Sequence, residues 1–129
     1  MRELKFRAWL KNYNCYADVL GFEQGRLFVQ FQSGERSQHR LYVPIEDCIL
    51  EQYTGLKDKN GKEIYEGDIV RFTLTDGFNY VTNEDGVVTY KLGAFYVVNG
   101  LAEYLISDIN TNKVEVIGNI YQNPELLGE

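Results

Sequence analysis

The chain has 129 residues, of which 44% are hydrophobic and 25% charged, and its formal net charge is −6 at pH 7. These values are typical of a soluble globular protein with one domain, or one domain with an appended sheet. No apolar run approaches the roughly 18 residues that a membrane-spanning helix needs, and no secretory signal precedes the first strand. We therefore expect a cytoplasmic protein with no membrane partner, and the negative charge makes nucleic acid an unlikely partner by electrostatics.

The charge is unevenly distributed along the chain. Residues 1–12 contain four basic residues and one acid, whereas residues 101–129 contain one lysine and five acids. Ends of opposite sign can pair within one chain or between copies in an assembly, and the alternative is that both ends are simply solvated.

Two early segments show the alternation of a half-buried strand. Residues 4–10 place Phe6 on an apolar face. Trp9 falls on the polar side of this strand, where it covers a second small core or marks a contact surface, and we favour the first interpretation. Residues 25–31 alternate likewise, and a polar loop is predicted over residues 34–40. A short strand is predicted over residues 41–43, which Pro44 either ends or places at a sheet edge.

The run "YTGLKDKNGKEIYEGDIV", residues 53–70, is the most patterned part of the chain. Asp58 can bond the backbone two residues on, Asn60 tolerates turn conformations, and Gly61 supplies a positive φ. These residues predict a hairpin whose lysines are solvated. A calcium loop is excluded, because the glycine is misplaced and the lysines oppose a cation.

The second half of the chain continues as short strands. Gly67 and Asp68 form a turn before a strand over residues 69–74, a polar loop follows over residues 75–84, and strands are predicted over residues 86–90, 93–98 and 114–121. Residues 101–109 are short enough to hold one helical turn, and Pro124 begins a stub of helix.

Strands at this spacing, with no long amphipathic segment between them, predict an all-β protein with antiparallel pairing. We expect two parts: an N-terminal β-sheet extension over residues 1–50 and an SH3-like small β-barrel over residues 51–129. Five strands with a helical turn before the last one suit such a barrel.

Few residues are candidates for catalysis or metal binding. Cys15, Cys48 and His39 cannot supply four zinc ligands at a recognised spacing. We interpret the cysteines as reduced, partly buried apolar residues and His39 as a solvated loop residue. The chain lacks a nucleophile with its base and a glycine-rich phosphate loop, so we expect no enzyme, no cofactor and no metal.

Three segments together carry a family resemblance: "MRELKFRAW" at the start, "YTGLKDKNGKEIYEGDIV" in the middle and "EVIGNIYQNPELL" at the end. In this order they resemble the YopX family of phage and prophage proteins. The resemblance implies a small β-rich protein encoded by bacteriophages or prophages, with an uncharacterised biochemical role and no attributed catalytic residues. The matched positions have turn or core explanations; they are Phe6, Trp9, Gly55, Asn60, Gly61, Gly67, Asp68, Gly118, Asn119 and Pro124.

Two functions stay open at this point. The first is a non-enzymatic phage accessory protein that acts by protein interaction, as a homo-oligomer or with an unknown phage or host protein. It is supported by ten tyrosines, seven phenylalanines and one tryptophan, more aromatic residues than a small barrel encloses. The alternative is a small-barrel nucleic-acid-binding module in phage DNA metabolism or regulation, with Arg2, Lys5 and Arg7 beside Trp9 as its surface.

Overall fold

The structure, a computed structural model, describes residues 4–35, 37–75 and 81–127. It is mostly β, with eleven described strands and four 3-10 turns, and its strands form two antiparallel sheets. The strands are β1 (Phe6–Leu10), β2 (Cys15–Glu23), β3 (Arg26–Ser33), β4 (Ser37–Pro44), β5 (Cys48–Lys57), β6 (Glu63–Tyr65), β7 (Asp68–Thr75), β8 (Val81–Lys91), β9 (Ala94–Asn99), β10 (Ala102–Leu105) and β11 (Glu115–Asn119), and the 3-10 turns are Ile45–Asp47, Ile106–Asp108, Thr111–Lys113 and Pro124–Leu127.

The described residues form two compact units that divide between Gln52 and Tyr53, within β5. The sequence placed the boundary two residues earlier. The strand order of the first sheet is β4-β3-β2-β1-β5-β6. The first half of β5 pairs with β1 in the N-terminal unit, and the second half pairs with β6 in the C-terminal unit.

In the N-terminal unit one face of the sheet carries an apolar core. Six buried residues form it: Ala8, Leu10, Ala17, Leu27, Val29 and Val43. Four of them come from the two segments in which the sequence alternates, so the predicted faces of β1 and β3 are confirmed. Trp9 is 6% exposed and packs edge-on against Tyr16, with ring centres 5.0 Å apart, so its side chain is buried although it lies on the polar side of the predicted alternation.

In this unit one strand was not predicted and one predicted loop was wrong. No strand was predicted over residues 15–23, where the structure has β2. The bulge between Val19 and Gly21 breaks the alternation that would have indicated it. The predicted polar loop over residues 34–40 is instead the start of β4 from Ser37 onward, so His39 lies on a strand and not in a loop.

The C-terminal unit contains the second sheet, with strand order β10-β9-β8-β7-β11. Its buried core is Ile64, Val70, Phe72, Val88, Phe95, Val97, Ile106 and Val114. The helical turn predicted within residues 101–109 is present as the 3-10 turn Ile106–Asp108. The described unit has six complete strands and the second half of β5, where the sequence predicted about five strands, and β10 was not predicted. The described strands form no closed barrel, however, so the SH3-like barrel is not confirmed. Strand β8 begins at Val81, inside the predicted polar loop, and residues 76–80 of that loop lie outside the described residues.

Candidate interaction surface

The hairpin tip at residues 58–62 is organised by one buried carboxylate. Asp58 Oδ1 accepts hydrogen bonds from the backbone N–H of Asn60 (2.8 Å) and Lys62 (2.9 Å), while Oδ2 accepts one from Val116 N–H (2.9 Å). We call these three bonds the Asp58 clasp. Gly61 has a φ of +80° with open space around its Cβ position, so its conformation and not its size requires glycine.

The protonation of Asp58 follows from two opposing effects. Burial raises the pKa of the carboxyl group, because only 7% of the residue is exposed. The backbone N–H groups of Val116, Lys62 and Asn60 stabilise the charged form more strongly, so the pKa of Asp58 lies below its usual range. Asp58 is therefore a charged structural residue.

The lysines of this stretch do not build an anion site. The backbone N–H of Lys59 donates a hydrogen bond to Val114 O at 2.9 Å, and its ammonium nitrogen lies 3.7 Å from Glu115 Oε1. The pocket beside it, about 320 Å³, also contains Arg71, whose guanidinium donates two hydrogen bonds to Asp85. Lys59 and Arg71 are thus each engaged by a carboxylate, which lowers the positive potential that either offers to a phosphate; Lys113 also lines this pocket.

Three further positions of the same segment shape the backbone. Gly55 and Gly67 both have a φ of +88°, a conformation that strongly favours glycine. Gly67 donates its N–H to Val88 O and accepts from Ile120 N–H, and buried Asp68 accepts a 2.8 Å bond from Tyr65 N–H. These glycines and this aspartate hold strands together.

The C-terminal turn is a network around Asn119. Its side-chain oxygen accepts from the N–H groups of Tyr121 (3.1 Å) and Gln122 (2.8 Å), and its own N–H donates to Asn123 Oδ1. A Cβ added at Gly118 would lie 2.6 Å from Asn123 Oδ1, so this turn needs glycine for lack of space. Pro124 then begins the last 3-10 turn.

At the N-terminal strand, Arg7 and Trp9 belong to a partly buried cluster. Arg7 Nε donates to Glu51 Oε1 at 2.9 Å, and the Tyr16 hydroxyl donates to the same oxygen at 2.8 Å. The Arg7 guanidinium also lies 4.1 Å from the centre of the Tyr16 ring. Phe6 is half-buried and pairs with Gln52 of β5. This cluster engages Arg7 and covers Trp9, so neither presents a surface on which bases stack.

The two cysteines and the histidine lie on strands of the N-terminal unit. Cys15 and Cys48 are free and half-buried, and burial raises the pKa of both thiols. His39 is exposed, stacks on Phe31 at 5.1 Å and shares a 2.8 Å hydrogen bond with the Ser33 hydroxyl. Within residues 4–35, 37–75 and 81–127, no three His, Cys, Asp or Glu side chains are placed to hold a metal ion.

Among the described strands, β4 is the longest that lies at the end of a sheet. The strands at the ends of the two sheets are β4, β6, β10 and β11, with 8, 3, 4 and 5 residues respectively. All eight residues of β4 pair in regular register with β3, from Arg26↔Pro44 to Ser33↔Ser37. In an antiparallel pair, alternate residues point their N–H and C=O away from the partner, so β4 offers a row of backbone groups about 27 Å long.

Aromatic and basic side chains border this edge on the sheet face opposite the core. Tyr42 packs on Phe28 with ring centres 4.9 Å apart, and the Arg26 guanidinium lies 4.4 Å from the Tyr42 ring centre. A hydrogen bond to the Glu23 carboxylate raises the pKa of the Tyr42 hydroxyl. Arg40 donates to Gln30 at 2.7 Å. Tyrosine, phenylalanine and arginine are the residues enriched at protein interfaces.

Comparison with protein families matches residues 5–128 to the family described as YopX protein. The chain belongs to the YopX family. This YopX-family chain also resembles the crystal structure of protein EF1440 from Enterococcus faecalis, with a TM-score of 0.66, 26% identity, and coverage of 98% of this chain and 99% of that one. Protein yopX from Bacillus subtilis shares the fold, with a TM-score of 0.58, 23% identity and coverage of 98% and 99%. A search among curated proteins found no match.

The comparison confirms the resemblance drawn from the three sequence segments. None of the helices in the described part of this YopX-family chain is long and apolar enough to cross a membrane. The ten positions that carried the resemblance lie in strands and turns, whereas the β4 edge lies outside all three segments. The sequence predicted only residues 41–43 of this strand, with a sheet edge as one alternative for Pro44, because the first four residues of β4 are polar and show no alternation.

Proposed function

We propose that the protein is a non-enzymatic phage or prophage accessory protein that works by protein interaction in the bacterial host cytoplasm, and that it self-associates through β4. The observation that carries this proposal is the open, regular, eight-residue edge of β4. Natural sheets cover, shorten or distort their edges because unpaired backbone groups recruit other strands. The other described edges are short, and β11 also contains a register shift.

The proposed contact is isologous: β4 pairs antiparallel with β4 of a second copy around a two-fold axis. Each copy then satisfies the outward N–H and C=O groups of the other, and the two sheets become continuous. The patch of Arg26, Phe28, Arg40 and Tyr42 meets its own copy beside the axis. Most of this contact would consist of backbone hydrogen bonds and aromatic packing. Such short-range interactions can offset the repulsion between two copies that each carry a net charge of −6.

The absence of reactive surroundings at Cys15, Cys48 and His39 supports a non-enzymatic role. The raised pKa values of both thiols disfavour a thiolate nucleophile, and the exposed His39 ring is hydrogen-bonded to the Ser33 hydroxyl. The nucleic-acid alternative is weakened because Arg7 is engaged by Glu51 and Trp9 is buried.

The test is the mass of the protein in solution at micromolar concentration and 150 mM salt. We expect a dimer or a larger even-numbered assembly. Tyr42→Lys places two added cations close together across the two-fold axis, near Arg40, and should raise the dissociation constant at least tenfold.

Tyr90→Lys is the matched control. Tyr90 is 40% exposed and its ring packs on Phe95 at 4.8 Å, much as Tyr42 is 44% exposed and packs on Phe28. Tyr90 differs in position, because it lies on β8, which is not an end strand of its sheet, and pairs with Phe95 of β9. A monomeric wild-type chain, or equal weakening by both substitutions, contradicts the β4 contact. Binding to duplex DNA that falls steeply with added salt would favour the nucleic-acid alternative instead.

A further inference from the structure

A pocket opens on the core face of the N-terminal sheet, beside the start of β2, the end of β3 and the first half of β4. Its volume is about 380 Å³, near the lower end of the range of roughly 300–1,000 Å³ that is usual for small-molecule sites. Half-buried Cys15, Phe31 and Leu41 line the pocket and also pack against the core of this unit. The pocket therefore lies on the sheet face opposite Tyr42, which is the next residue after Leu41 on the same strand.

Three aromatic rings pack together at this pocket. The Phe31 ring contacts both others: the centre of the Tyr13 ring is 5.3 Å away, and the His39 ring stacks at 5.1 Å with an angle of 26° between the planes. Tyr13 belongs to the turn between β1 and β2, in which Asn14 has a φ of +55° and donates its N–H to Leu10 O at 2.8 Å. Rings arranged in this way offer faces and edges to a further aromatic ring.

The polar groups of the pocket suit a neutral ligand. Among the described residues that line it there is no Asp, Glu, Lys or Arg, so a charged ligand would lose hydration without gaining an ionic partner. The Ser33 hydroxyl and His39 Nε2 lie 2.8 Å apart, and within the described part of the chain Nδ1 of His39 has no hydrogen-bond partner. A neutral imidazole presents Nδ1 as a donor or as an acceptor, depending on the direction of the Ser33 bond.

We infer that this pocket binds a small, neutral, planar aromatic molecule of one or two fused rings, with one hydrogen-bonding atom that reaches His39. The three rings supply the stacking and edge contacts, and Cys15 and Leu41 supply apolar contacts. The lining takes in residues 31–33 of β3 and a similar length of β4, which is about 7 Å of strand. This length matches one or two fused rings and is too short to seat an extended peptide.

The probe is indole, a neutral molecule of two fused rings with one N–H donor, and its binding is followed by amide chemical shifts of isotope-labelled protein. We expect saturable binding with a Kd of about 0.1–1 mM, which is ordinary for so small a ligand. The largest shifts should fall in residues 13–15, 31–33 and 39–41. N-methylindole, which lacks the donor, should bind about three- to tenfold more weakly, and the anion indoleacetate should bind more weakly than indole.

Tyr13→Ala removes one of the three rings from an exposed turn and should weaken indole binding about three- to tenfold. Tyr90→Ala is the matched control, because Tyr90 is also an exposed tyrosine that packs on a phenylalanine, Phe95, but belongs to the C-terminal unit; it should bind as the wild type does. His39→Phe keeps a ring and removes both nitrogens, so indole should lose its advantage over N-methylindole. Tyr42→Lys should bind normally, since Tyr42 lies on the other face of the sheet.

Cys15 gives a second readout with Cys48 as its internal control. The two cysteines pair with Leu10 from opposite sides of β1, and Cys48 is not among the described residues that line the pocket. At about ten times its Kd, indole should slow the reaction of Cys15 with iodoacetamide about tenfold and leave that of Cys48 unchanged.

Three results would each overturn the inference. They are a lack of saturable binding up to about 10 mM indole, equal protection of both cysteines, and loss of binding in Tyr42→Lys. A fall in the mass of the protein when indole is added would also contradict it, because a side chain of a second copy would then be the natural occupant of the pocket.

Discussion

Replacing Asp58 by asparagine nearly preserves the size of the side chain but removes its charge and one of its acceptors. The clasp uses both carboxylate oxygens, Oδ1 for Asn60 and Lys62 and Oδ2 for Val116. An asparagine that keeps its oxygen toward the hairpin tip presents an NH₂ group to Val116 N–H, so two donors then face each other.

The cost follows from the bonds that are lost and weakened. A hydrogen bond to a charged acceptor contributes about 1.5–3 kcal/mol and a neutral one about 1 kcal/mol. The bond at Val116 is lost and the two others become neutral, whereas the buried charge no longer has to be desolvated. We expect Asp58→Asn to lower the free energy of unfolding by about 2–3 kcal/mol at pH 7.

The difference between wild type and variant should shrink in acid. Because the folded-state pKa of Asp58 lies below that of an unfolded aspartate, about 3.9, the unfolded chain takes up this proton first as the pH falls. The stability that the charged carboxylate supplies is therefore full above the unfolded pKa and is lost as the pH falls through the folded pKa.

Urea unfolding followed by far-ultraviolet circular dichroism at several pH values between 7 and 2 measures both effects. Asp108→Asn is the control, since Asp108 is an exposed acid of the same unit, and it should change the free energy by less than about 0.5 kcal/mol. An Asp58→Asn loss that stays constant down to pH 2, or no loss at pH 7, would refute the reasoning.

Gly61→Val should lower stability by roughly 1–2 kcal/mol because valine resists a positive φ, and an unchanged melting temperature would count against the hairpin conformation. Gly118→Ala should cost about 1–2 kcal/mol through displacement of Asn123, and the cost should fall in an Asn123→Gly background if the crowding is the cause. Cys15 and Cys48 should react with iodoacetamide more slowly in the folded protein than in urea at pH 7.5, since burial raises both pKa values; equal rates would contradict that burial.

The sequence predicted those parts of the fold that are determined by interactions within one short segment. Asp58, Asn60 and Gly61 are neighbours, and the turn they form needs nothing from elsewhere in the chain. Likewise, the alternation around Val70 and Phe72 identified a buried strand face, and both residues are fully buried.

The parts it could not predict depend on pairing between distant strands. The bond from Val116 to Asp58 is invisible in either local segment, and the open β4 edge exists only because no described strand adds beside it. The polar start of β4 and the bulge in β2 also lack the period of two on which the prediction relied. Sequence analysis therefore identified the local turns but not the surfaces that depend on strand pairing.

The distance along the chain between Asp58 and Val116 also sets an order of folding. Strands β7 to β10 are each adjacent in the sheet to the next strand in sequence, whereas β11 follows β10 in sequence but pairs with β7 at the other end of the sheet. The contact between Asp58 and Val116, which are 58 residues apart, closes a long loop at high entropic cost. We expect β7 to β10 to be paired already in the folding transition state, and β11 to pair with β7 only afterwards. Loss of the Asp58 carboxylate should then accelerate unfolding and leave the refolding rate nearly unchanged, a division that stopped-flow kinetics in urea measures directly.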